Sequence, residues 1–279
     1  MYKLTQEGIA HFEEFFSLKF EPLPKIKHKK TKGKKLIIAD IHAPAHNDKA
    51  LKQAVNDNLD CEDVIVVGDL WDFYSKSFYR KRKDIPFRDE FRQGYYILQW
   101  LSQNFDNVYL QLANHDARFR KYMYDNVPVN LLTYCHTKIL EEFIGFIPNV
   151  KIIRQTIEGN REIEYLAQMD NLLLAHVEVS GADVTKAVQE ITKRLFKWNK
   201  TYRLKPYDAI IQAHNHSSGK VKWGDLFLFQ IPCLIDIGNE AFSYVFDGTL
   251  KGSPPAIGYM IGIWEDGMFN PRKSYIVDL

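Results

Sequence analysis

Five short apolar runs limit what this chain of 279 residues can fold into. Each run has only four to six residues, is rich in branched side chains and is bounded by polar turns, as buried β-strands are. Helical patterns separate the runs, and strands that alternate with helices are typical of an α/β fold. The runs cover residues 36–39, 64–67, 108–113, 171–175 and 209–213.

Four segments carry the periodicity of amphipathic helices. Asn47 stands directly before one of them, where its side chain can cap the first helical turn. A Pro- and Lys-rich linker over residues 22–35 follows the first helix. We therefore predict two parts, an N-terminal helix with a basic linker (1–33) and one α/β domain (34–279). The predicted helices cover residues 4–18, 48–58, 86–104 and 183–200.

Composition narrows the class of protein. Apolar residues make up 46% and charged residues 26% of the chain, which is ordinary for a soluble globule. No apolar run reaches the length of a membrane span, and the N-terminal residues lack the apolar core of a secretory signal. The three cysteines are scattered without metal-type spacing, so we expect free thiols in a reducing compartment. These features predict a cytoplasmic protein without membrane contact, and they leave the oligomeric state open.

Basic side chains are concentrated in three segments, although the net charge is only +2. The first segment is the linker, with seven lysines between residues 25 and 35. The other two span residues 76–92 and 186–205 and include aromatic side chains. Such segments can hold a polyanion, although runs of charge are more often solvated faces.

The predicted strands share a second feature, because each is followed by Asp, Asn or His. In open α/β sheets, ligands bind at the carboxyl ends of the strands, where these side chains would meet. Carboxylate, amide and imidazole groups without cysteine suit Mn²⁺, Fe or Zn²⁺, and they exceed the four ligands of a structural zinc. Two ions about 3.5–4 Å apart that share one carboxylate would account for the set. The segments are Asp40-Ile41-His42, Gly68-Asp69, Asn114-His115-Asp116, His176 and His214-Asn215-His216.

These segments resemble the motifs of the calcineurin-like metallophosphoesterases. The family's pattern is D-x-H, G-D-x-x-D, G-N-H-[DE], a later His and G-H-x-H. This chain has DIH, GDLWD, ANHD, AH and AHNH in the same order over residues 40–216. Ala113 and Ala213 replace two of the family's glycines, for which we expect a modest backbone adjustment. The resemblance implies a four-layer αββα sandwich of two mixed sheets flanked by helices, in which residues 258–261 and 275–277 complete the second sheet.

The resemblance also implies a dinuclear metal centre, with Mn²⁺ as the expected ion and Fe, Zn²⁺ or Ni²⁺ as alternatives. A water shared by the two ions would become the hydroxide that attacks phosphorus in line. His115 would protonate the leaving oxygen, and Asp72 would hold His115 by a hydrogen bond. The implied ligands are Asp40, His42 and His216 for one ion, Asn114, His176 and His214 for the other, and Asp69 as the bridge between them.

The expected substrate is a nucleic acid or a nucleotide, which would make the chain a phosphodiesterase or nuclease. Two insert-like stretches, residues 73–95 and 177–206, place Arg and Lys beside aromatic side chains, which suits phosphates and stacked bases. The second stretch could equally pack its aromatic side chains on the body of the domain. The candidate substrate-binding residues are Arg118, Arg120, Arg80 and Trp71.

Two alternatives stay open at this point. A phosphomonoesterase acting on a small metabolite or a phosphoprotein would need positive charge at the site but no long groove. The protein phosphatase branch of the family has Arg-Gly where this chain has Phe73-Tyr74, which argues against a dedicated protein phosphatase. The other alternative is a non-catalytic interaction protein on the same fold, and the complete set of metal-binding positions argues against it.

Overall fold

The computed structural model describes helices and strands over most of the chain. The described residues are 6–21, 23–77, 84–126, 139–157, 161–163, 165–178, 190–191, 193–194, 204–239 and 255–279. Their helices are α1 (Gln6–Phe16), α2 (Asp48–Asn56), α3 (Phe87–Asn104), α4 (Arg118–Asn126) and α5 (Ile139–Ile144), with a 3₁₀ turn at Tyr74–Lys76. Their strands are β1 (Thr31–Ile38), β2 (Cys61–Val67), β3 (Asn107–Gln111), β4 (Val150–Ile153), β5 (Gln155–Ile157), β6 (Arg161–Ile163), β7 (Leu166–Met169), β8 (Leu172–Ala175), β9 (Ala209–Gln212), β10 (Gly219–Trp223), β11 (Leu226–Gln230), β12 (Gly258–Glu265), β13 (Met268–Phe269) and β14 (Tyr275–Asp278).

The first sheet joins both ends of the domain. Its seven strands have the order β13-β12-β1-β2-β3-β4, and β14 also pairs with β12. Strands β1 to β4 are parallel, whereas β12 is antiparallel to β1, with Leu36 opposite Ile261. The prediction that residues 258–261 and 275–277 complete the second sheet is therefore wrong. Residues 258–262 of β12 are all buried, as expected of an apolar strand that lies inside a sheet and is covered on both faces.

The second sheet has five strands in the order β10-β11-β9-β8-β7. Strands β8, β9 and β11 are parallel, and β7 and β10 are antiparallel to their neighbours. Helices α1, α2, α3 and α5 pack on the outer face of the first sheet. The predicted sandwich of two mixed sheets with helices is confirmed. The sheets face each other through a shared apolar core that includes Ile37, Ile65, Leu174, Ile211 and Phe229.

Two helices lie where the sequence predicts them beside the first sheet. Helix α2 begins after Asn47, whose Oδ1 accepts a hydrogen bond from the backbone nitrogen of Ala50 at 3.0 Å. Helix α3 fills the stretch predicted over residues 86–104. The helix predicted over 183–200 lies largely outside the described residues, as do parts of both insert-like stretches. Within the described part of the chain, no helix has the length and apolarity needed to cross a membrane.

The N-terminal helix packs on the domain through aromatic side chains. Phe16 is 3% exposed, and its ring stacks on that of Phe91 in α3 with centroids 4.1 Å apart. Phe20 stacks on Phe143 of α5 at 4.8 Å. Strand β1 begins at Thr31, so the linker leads directly into the first sheet. Residues of the predicted N-terminal part therefore contribute to the main core.

Lysines of the first basic segment bind carbonyl groups at the end of α3. The Nζ atom of Lys25 donates to the carbonyl oxygen of Phe105 at 2.8 Å, and that of Lys30 donates to the carbonyl oxygen of Asn104 at 2.6 Å. Carbonyl groups at a helix C-terminus lack helical partners and carry partial negative charge, so a lysine there is stabilising. These two lysines thus support the fold at the amino ends of the strands.

Candidate metal centre

The carboxyl ends of five strands bring predicted ligands to one edge of the sandwich. Strands β1, β2 and β3 of the first sheet lead into Asp40, Asp69 and Asn114, and β8 and β9 of the second sheet lead into His176 and His214. Because the two sheets lie face to face, their parallel strands can end around one space. Asn114 is exposed in the turn after β3. The two carboxylates and two imidazoles lie in the ligand groups described next.

The first group contains Asp40, His42 and His216, whose ligand atoms all lie within 4.8 Å of one another. Nε2 of His216 is 3.2 Å from Oδ1 of Asp40, and Nε2 of His42 is 3.7 Å from the same oxygen. Asp40 is fully buried, so its carboxylate is removed from solvent. This is the set that the resemblance implies for one ion.

The second group contains Asp69, His176 and His214, again with ligand atoms within 4.8 Å of one another. Oδ2 of Asp69 lies 3.0 Å from Nε2 of His176. The same oxygen lies 3.8 Å from Nε2 of His42, which belongs to the first group. Asp69 therefore stands between the two groups, where a bridging carboxylate has to be.

These groups fit divalent metal ions. Ligands at about 2.0–2.2 Å from one ion lie roughly 3 Å apart, and the shortest nitrogen–oxygen separations in the two groups are 3.2 Å and 3.0 Å. The donors are carboxylate oxygens and imidazole nitrogens, which suit borderline and hard divalent ions. Buried carboxylates that face several imidazoles also need a compensating positive charge. The arrangement therefore supplies the donor atoms, the spacing between them and the negative charge that a pair of divalent ions requires.

Strained backbone accompanies the ligands. Five of them have a positive φ, a region that non-glycine residues seldom adopt and that costs about 1–3 kcal/mol each. Such strain persists only where the surrounding fold fixes the chain, and it is common at functional sites. Ala113 and Ala213 do not have a positive φ, so their methyl groups strain no backbone. The five ligands and their φ angles are Asp40 (50°), His42 (52°), Asp69 (52°), His214 (82°) and His216 (52°).

The carboxylates and imidazoles of the site shift one another's pKa values. Burial alone would raise the pKa of Asp40 and of Asp69, but the imidazoles, above all that of His176, hold each pKa well below its usual range. Burial lowers the pKa of His42, but hydrogen bonds to Asp40 and Asp72 outweigh it and raise that pKa to about 10. For His176, the charges of Asp69 and Asp40 outweigh burial and raise the pKa to about 9. The carboxylates therefore favour positive charge on the imidazoles of His42 and His176.

Asp72 connects the first ligand group to His115. Its Oδ1 atom accepts a hydrogen bond from Nδ1 of His42 at 3.2 Å and a shorter one from Nδ1 of His115. Nε2 of His42 is thereby turned towards the ligand group, and Nε2 of His115 lies 3.9 Å from Oδ2 of Asp69. Carboxylates behind metal-binding imidazoles commonly fix the tautomer and the ring orientation. Asp72 thus contacts His115, as the resemblance implies, and it also orients the ring of His42, a proposed metal ligand.

The predicted substrate-binding residues differ in their positions. Nη1 of Arg118 donates to Oδ1 of Asp72 at 3.1 Å, and Nη2 lies 3.0 Å from Nε2 of His115, so this arginine borders the site. Arg120, two residues after Arg118 in α4, is partly buried, and Arg80 lies outside the described residues. Trp71 is fully buried, and its Nε1 donates to the carbonyl oxygen of Phe91 at 3.0 Å. Trp71 therefore packs the core and presents no surface to a substrate.

Asp116 is a further residue at this site, to which the sequence assigned no role. Its side chain is buried, and its carboxylate accepts hydrogen bonds from three backbone nitrogens in the loops after β2 and β3. The one feature of the sequence that could have identified Asp116 is its position as the acidic residue that ends the ANHD motif. A motif position alone does not say which distant backbone groups a carboxylate will meet.

Comparison with known proteins agrees with the motif pattern. The family model of the calcineurin-like phosphoesterases matches residues 33–218, which is two thirds of the chain. No curated protein matches the sequence. Among solved structures, vacuolar protein sorting 29 from Cryptosporidium parvum is 13% identical with a TM-score of 0.39, over 88% of this chain and 97% of its own. An archaeal phosphodiesterase is 13% identical with a TM-score of 0.38, over 88% of this chain and 99% of its own.

Proposed function

The chain belongs to the calcineurin-like phosphoesterase family, and we propose that it hydrolyses phosphodiester bonds in a nucleic acid or a nucleotide. The family makes it a metal-dependent phosphoesterase, and the diester substrate is our inference. One observation carries the proposal: two groups of ligand atoms meet at the ends of four strands, and Asp69 of the second group lies 3.8 Å from His42 of the first, with His115 and Asp72 beside them. Two divalent ions held there would offset the charge of a phosphate and make a water acidic enough to act as a nucleophile. Mn²⁺ is the ion we propose.

The roles of the side chains follow from their contacts. Asp40, His42 and His216 would hold one ion, and Asp69 with His176 and His214 would hold the other, aided by Asn114. His115 is held at Nδ1 by Asp72, and its Nε2, which lies 3.0 Å from Nη2 of Arg118 and 3.9 Å from Oδ2 of Asp69, is the atom that would meet a leaving oxygen. A proton given to that oxygen would offset the charge that develops as the phosphorus–oxygen bond breaks.

Arg118 is the side chain that we expect to contact the phosphate. Its guanidinium is anchored to Asp72 and its side chain is 14% exposed, so the group is fixed in direction but still reachable. One arginine matches the single negative charge of a phosphodiester, whereas a terminal phosphate carries about two charges at neutral pH. Phe73 and Tyr74, at the positions of Arg-Gly in the protein phosphatase branch, are buried at 0% and 4% exposure and add no charge. These features support a diester substrate.

The test is hydrolysis of a bis-nitrophenyl phosphodiester against nitrophenyl phosphate. The protein would be freed of metal by a chelator and reloaded with Mn²⁺, with Asp69→Asn as the control that should lose metal and turnover together. Preference for the diester would support the proposal and justify DNA, RNA and cyclic nucleotides as the next substrates. Preference for the monoester would contradict it in favour of a phosphatase. Inactivity on both with Mn²⁺ bound would favour a non-catalytic member of the family.

A further inference from the structure

Asp116 forms a buried bridge between the loops after β2 and β3. Its Oδ2 atom accepts hydrogen bonds from the backbone nitrogens of Asp69 and Ala113, each at 2.9 Å. Its Oδ1 atom accepts one from the backbone nitrogen of Trp71 at 3.0 Å. The carboxylate is only 2% exposed, so water is a poor substitute for it. All three donors are main-chain groups, and Asp116 therefore fixes the course of the backbone in both loops.

The loop after β2 needs such a partner because of its conformation. Gly68 has a φ of 77° and Asp69 a φ of 52°, so two successive residues are left-handed. A left-handed residue with a side chain is less stable than an ordinary one and must be held by its surroundings. Backbone nitrogens in turns of this kind can converge on a concavity that accepts an anion. In this protein the group that these nitrogens meet is the side-chain carboxyl of Asp116.

A reciprocal hydrogen bond orients the side chain of Asp69. The backbone nitrogen of His115 donates to Oδ1 of Asp69 at 2.9 Å. With Oδ1 held, Oδ2 is the oxygen that faces both ligand groups, 3.0 Å from Nε2 of His176 and 3.8 Å from Nε2 of His42. The side chain of Asp116 thus holds the main chain of Asp69, and the backbone of His115, in the loop of Asp116, holds the side chain of Asp69. The two aspartates thus fix each other's loops.

We propose that Asp116 is a positioning residue that keeps the Asp69 carboxylate between the two ligand groups, so that one oxygen can serve both ions. The inference rests on the proposed function only in that ions must bind at these groups. Without the Asp116 carboxylate, three buried backbone nitrogens lose their acceptor, and Asp69 is free to leave its left-handed conformation. Each group could still bind an ion, but the two ions would no longer share an oxygen.

The experiment compares Mn²⁺ binding and electron paramagnetic resonance spectra of wild-type protein, Asp116→Asn and Asp63→Asn. Asparagine keeps the shape of the side chain but replaces one acceptor oxygen with an NH₂ group, which cannot accept a hydrogen bond. Asp63 is the matched control, because it is also buried on β2 and accepts a backbone hydrogen bond, from Asn107 at 3.1 Å. It lies near the amino end of β2, away from the ligands.

We expect two Mn²⁺ ions with an exchange-coupled spectrum in the wild type and in Asp63→Asn. Asp116→Asn should give the spectrum of uncoupled Mn²⁺. The more weakly bound of its two ions should have a dissociation constant at least tenfold higher than in the wild type. If the asparagine variant does not fold, as judged by circular dichroism, Asp116→Ser retains one acceptor oxygen without added volume and should lose the coupling too. A coupled spectrum and wild-type affinity in the Asp116 variant would overturn the inference, as would equal loss in Asp63→Asn. Failure of the wild type to bind Mn²⁺ would overturn the proposed function itself.

Discussion

At the scale of single residues, the imidazoles of His42 and His176 are each held by Nδ1, the nitrogen that does not face the ligand groups. Nδ1 of His42 contacts Asp72 at 3.2 Å, and Nδ1 of His176 contacts the carbonyl oxygen of Val67 at 2.8 Å. A ring anchored in this way loses little freedom when its Nε2 atom binds an ion. The ligand groups are therefore oriented by the protein before any ion arrives.

His115 should be needed for turnover but not for metal binding. It contacts Asp72 and Arg118 and lies within 4.8 Å of the ligand atoms of His42 and Asp69, but we assign it to neither of the two proposed ion sites. We expect His115→Ala to lower kcat by about 10²–10⁴, the usual contribution of a general acid, with its Mn²⁺ content unchanged. His28→Ala is a suitable control, because His28 contacts Asn104 at the far end of α3. A fully active His115→Ala would show that the role assigned to His115 is wrong.

Metal binding should release protons. With their pKa values raised to about 10 and about 9, His42 and His176 carry protons at pH 7.5, and an ion at Nε2 must displace them. Apparent Mn²⁺ affinity should therefore rise with pH, with about two protons released, which titration calorimetry in two buffers of different ionisation enthalpy can count. Both values exceed the usual histidine pKa of about 6.5. In the metal-free protein, these protons stabilise the fold. Their contribution is complete at pH values below about 6.5, the pKa of an unperturbed histidine, and it is lost as pH rises through 9–10. Binding without proton release would contradict these assignments.

At the scale of structural elements, the turns after the strands place the ligands, and helix α3 supports one of these turns. A Cβ on Gly94 of α3 would lie 2.0 Å from Nε1 of Trp71, so this glycine makes room for the indole. The indole in turn donates to the carbonyl oxygen of Phe91 in the same helix. The loop after β2 is thereby attached to α3 at Trp71, between the proposed bridging residue Asp69 and Asp72.

Gly68→Ala should damage the second ligand group. A Cβ there would lie 2.3 Å from Nδ1 of His176 and 2.6 Å from Cβ of Ala113, and the residue has a φ of 77°. We expect weaker Mn²⁺ binding and a loss of about 1–3 kcal/mol in the free energy of unfolding, measured by denaturant titration. Gly267→Ala is the matched control, since its φ of 80° carries the same backbone strain but nothing lies within 4 Å of the new methyl group. Equal effects of the two variants would contradict the proposed collision with His176.

Local features could be predicted from the sequence, and contacts between distant residues could not. The run that ends at Val67 and the Asp69 that follows it reveal a strand and a ligand, because both depend on neighbouring residues. The burial of Trp71 depends on Gly94, and the role of Asp116 depends on backbone groups across two loops. The pairing of β12 with β1 also escaped prediction, because an apolar strand buried on both faces can join either sheet.

At the scale of the whole molecule, the basic segments differ in how close they lie along the chain to the ligand motifs. Lys25 and Lys30, near the amino ends of the strands, bind helix carbonyls, so part of the first basic segment is committed to the fold. The segment over residues 76–92 follows the second motif directly, and it includes Arg80, which lies outside the described residues. If the substrate is a polyanion, this second segment is the better candidate for binding it.

Neutralising Arg80, Lys81, Arg82 and Lys83 together should weaken binding of a nucleic-acid substrate and flatten its salt dependence. For each phosphate that these side chains neutralise in the wild type, the slope of log affinity against log salt should fall by about 0.7–0.9 in the variant. Binding measured from low to high salt would show this. Neutralising Lys27, Lys29 and Lys32, which are exposed beside the start of β1, should leave the slope unchanged. An unchanged slope in the first variant would remove the segment from the substrate-binding surface.

The most direct test of a shared two-ion centre is anomalous diffraction at the manganese edge from crystals grown with Mn²⁺. We predict two peaks about 3.5–4 Å apart. One should lie among Asp40, His42 and His216, the other among His176, His214 and Asn114, with Asp69 between them. A single peak, or two peaks that do not share Asp69, would contradict the account.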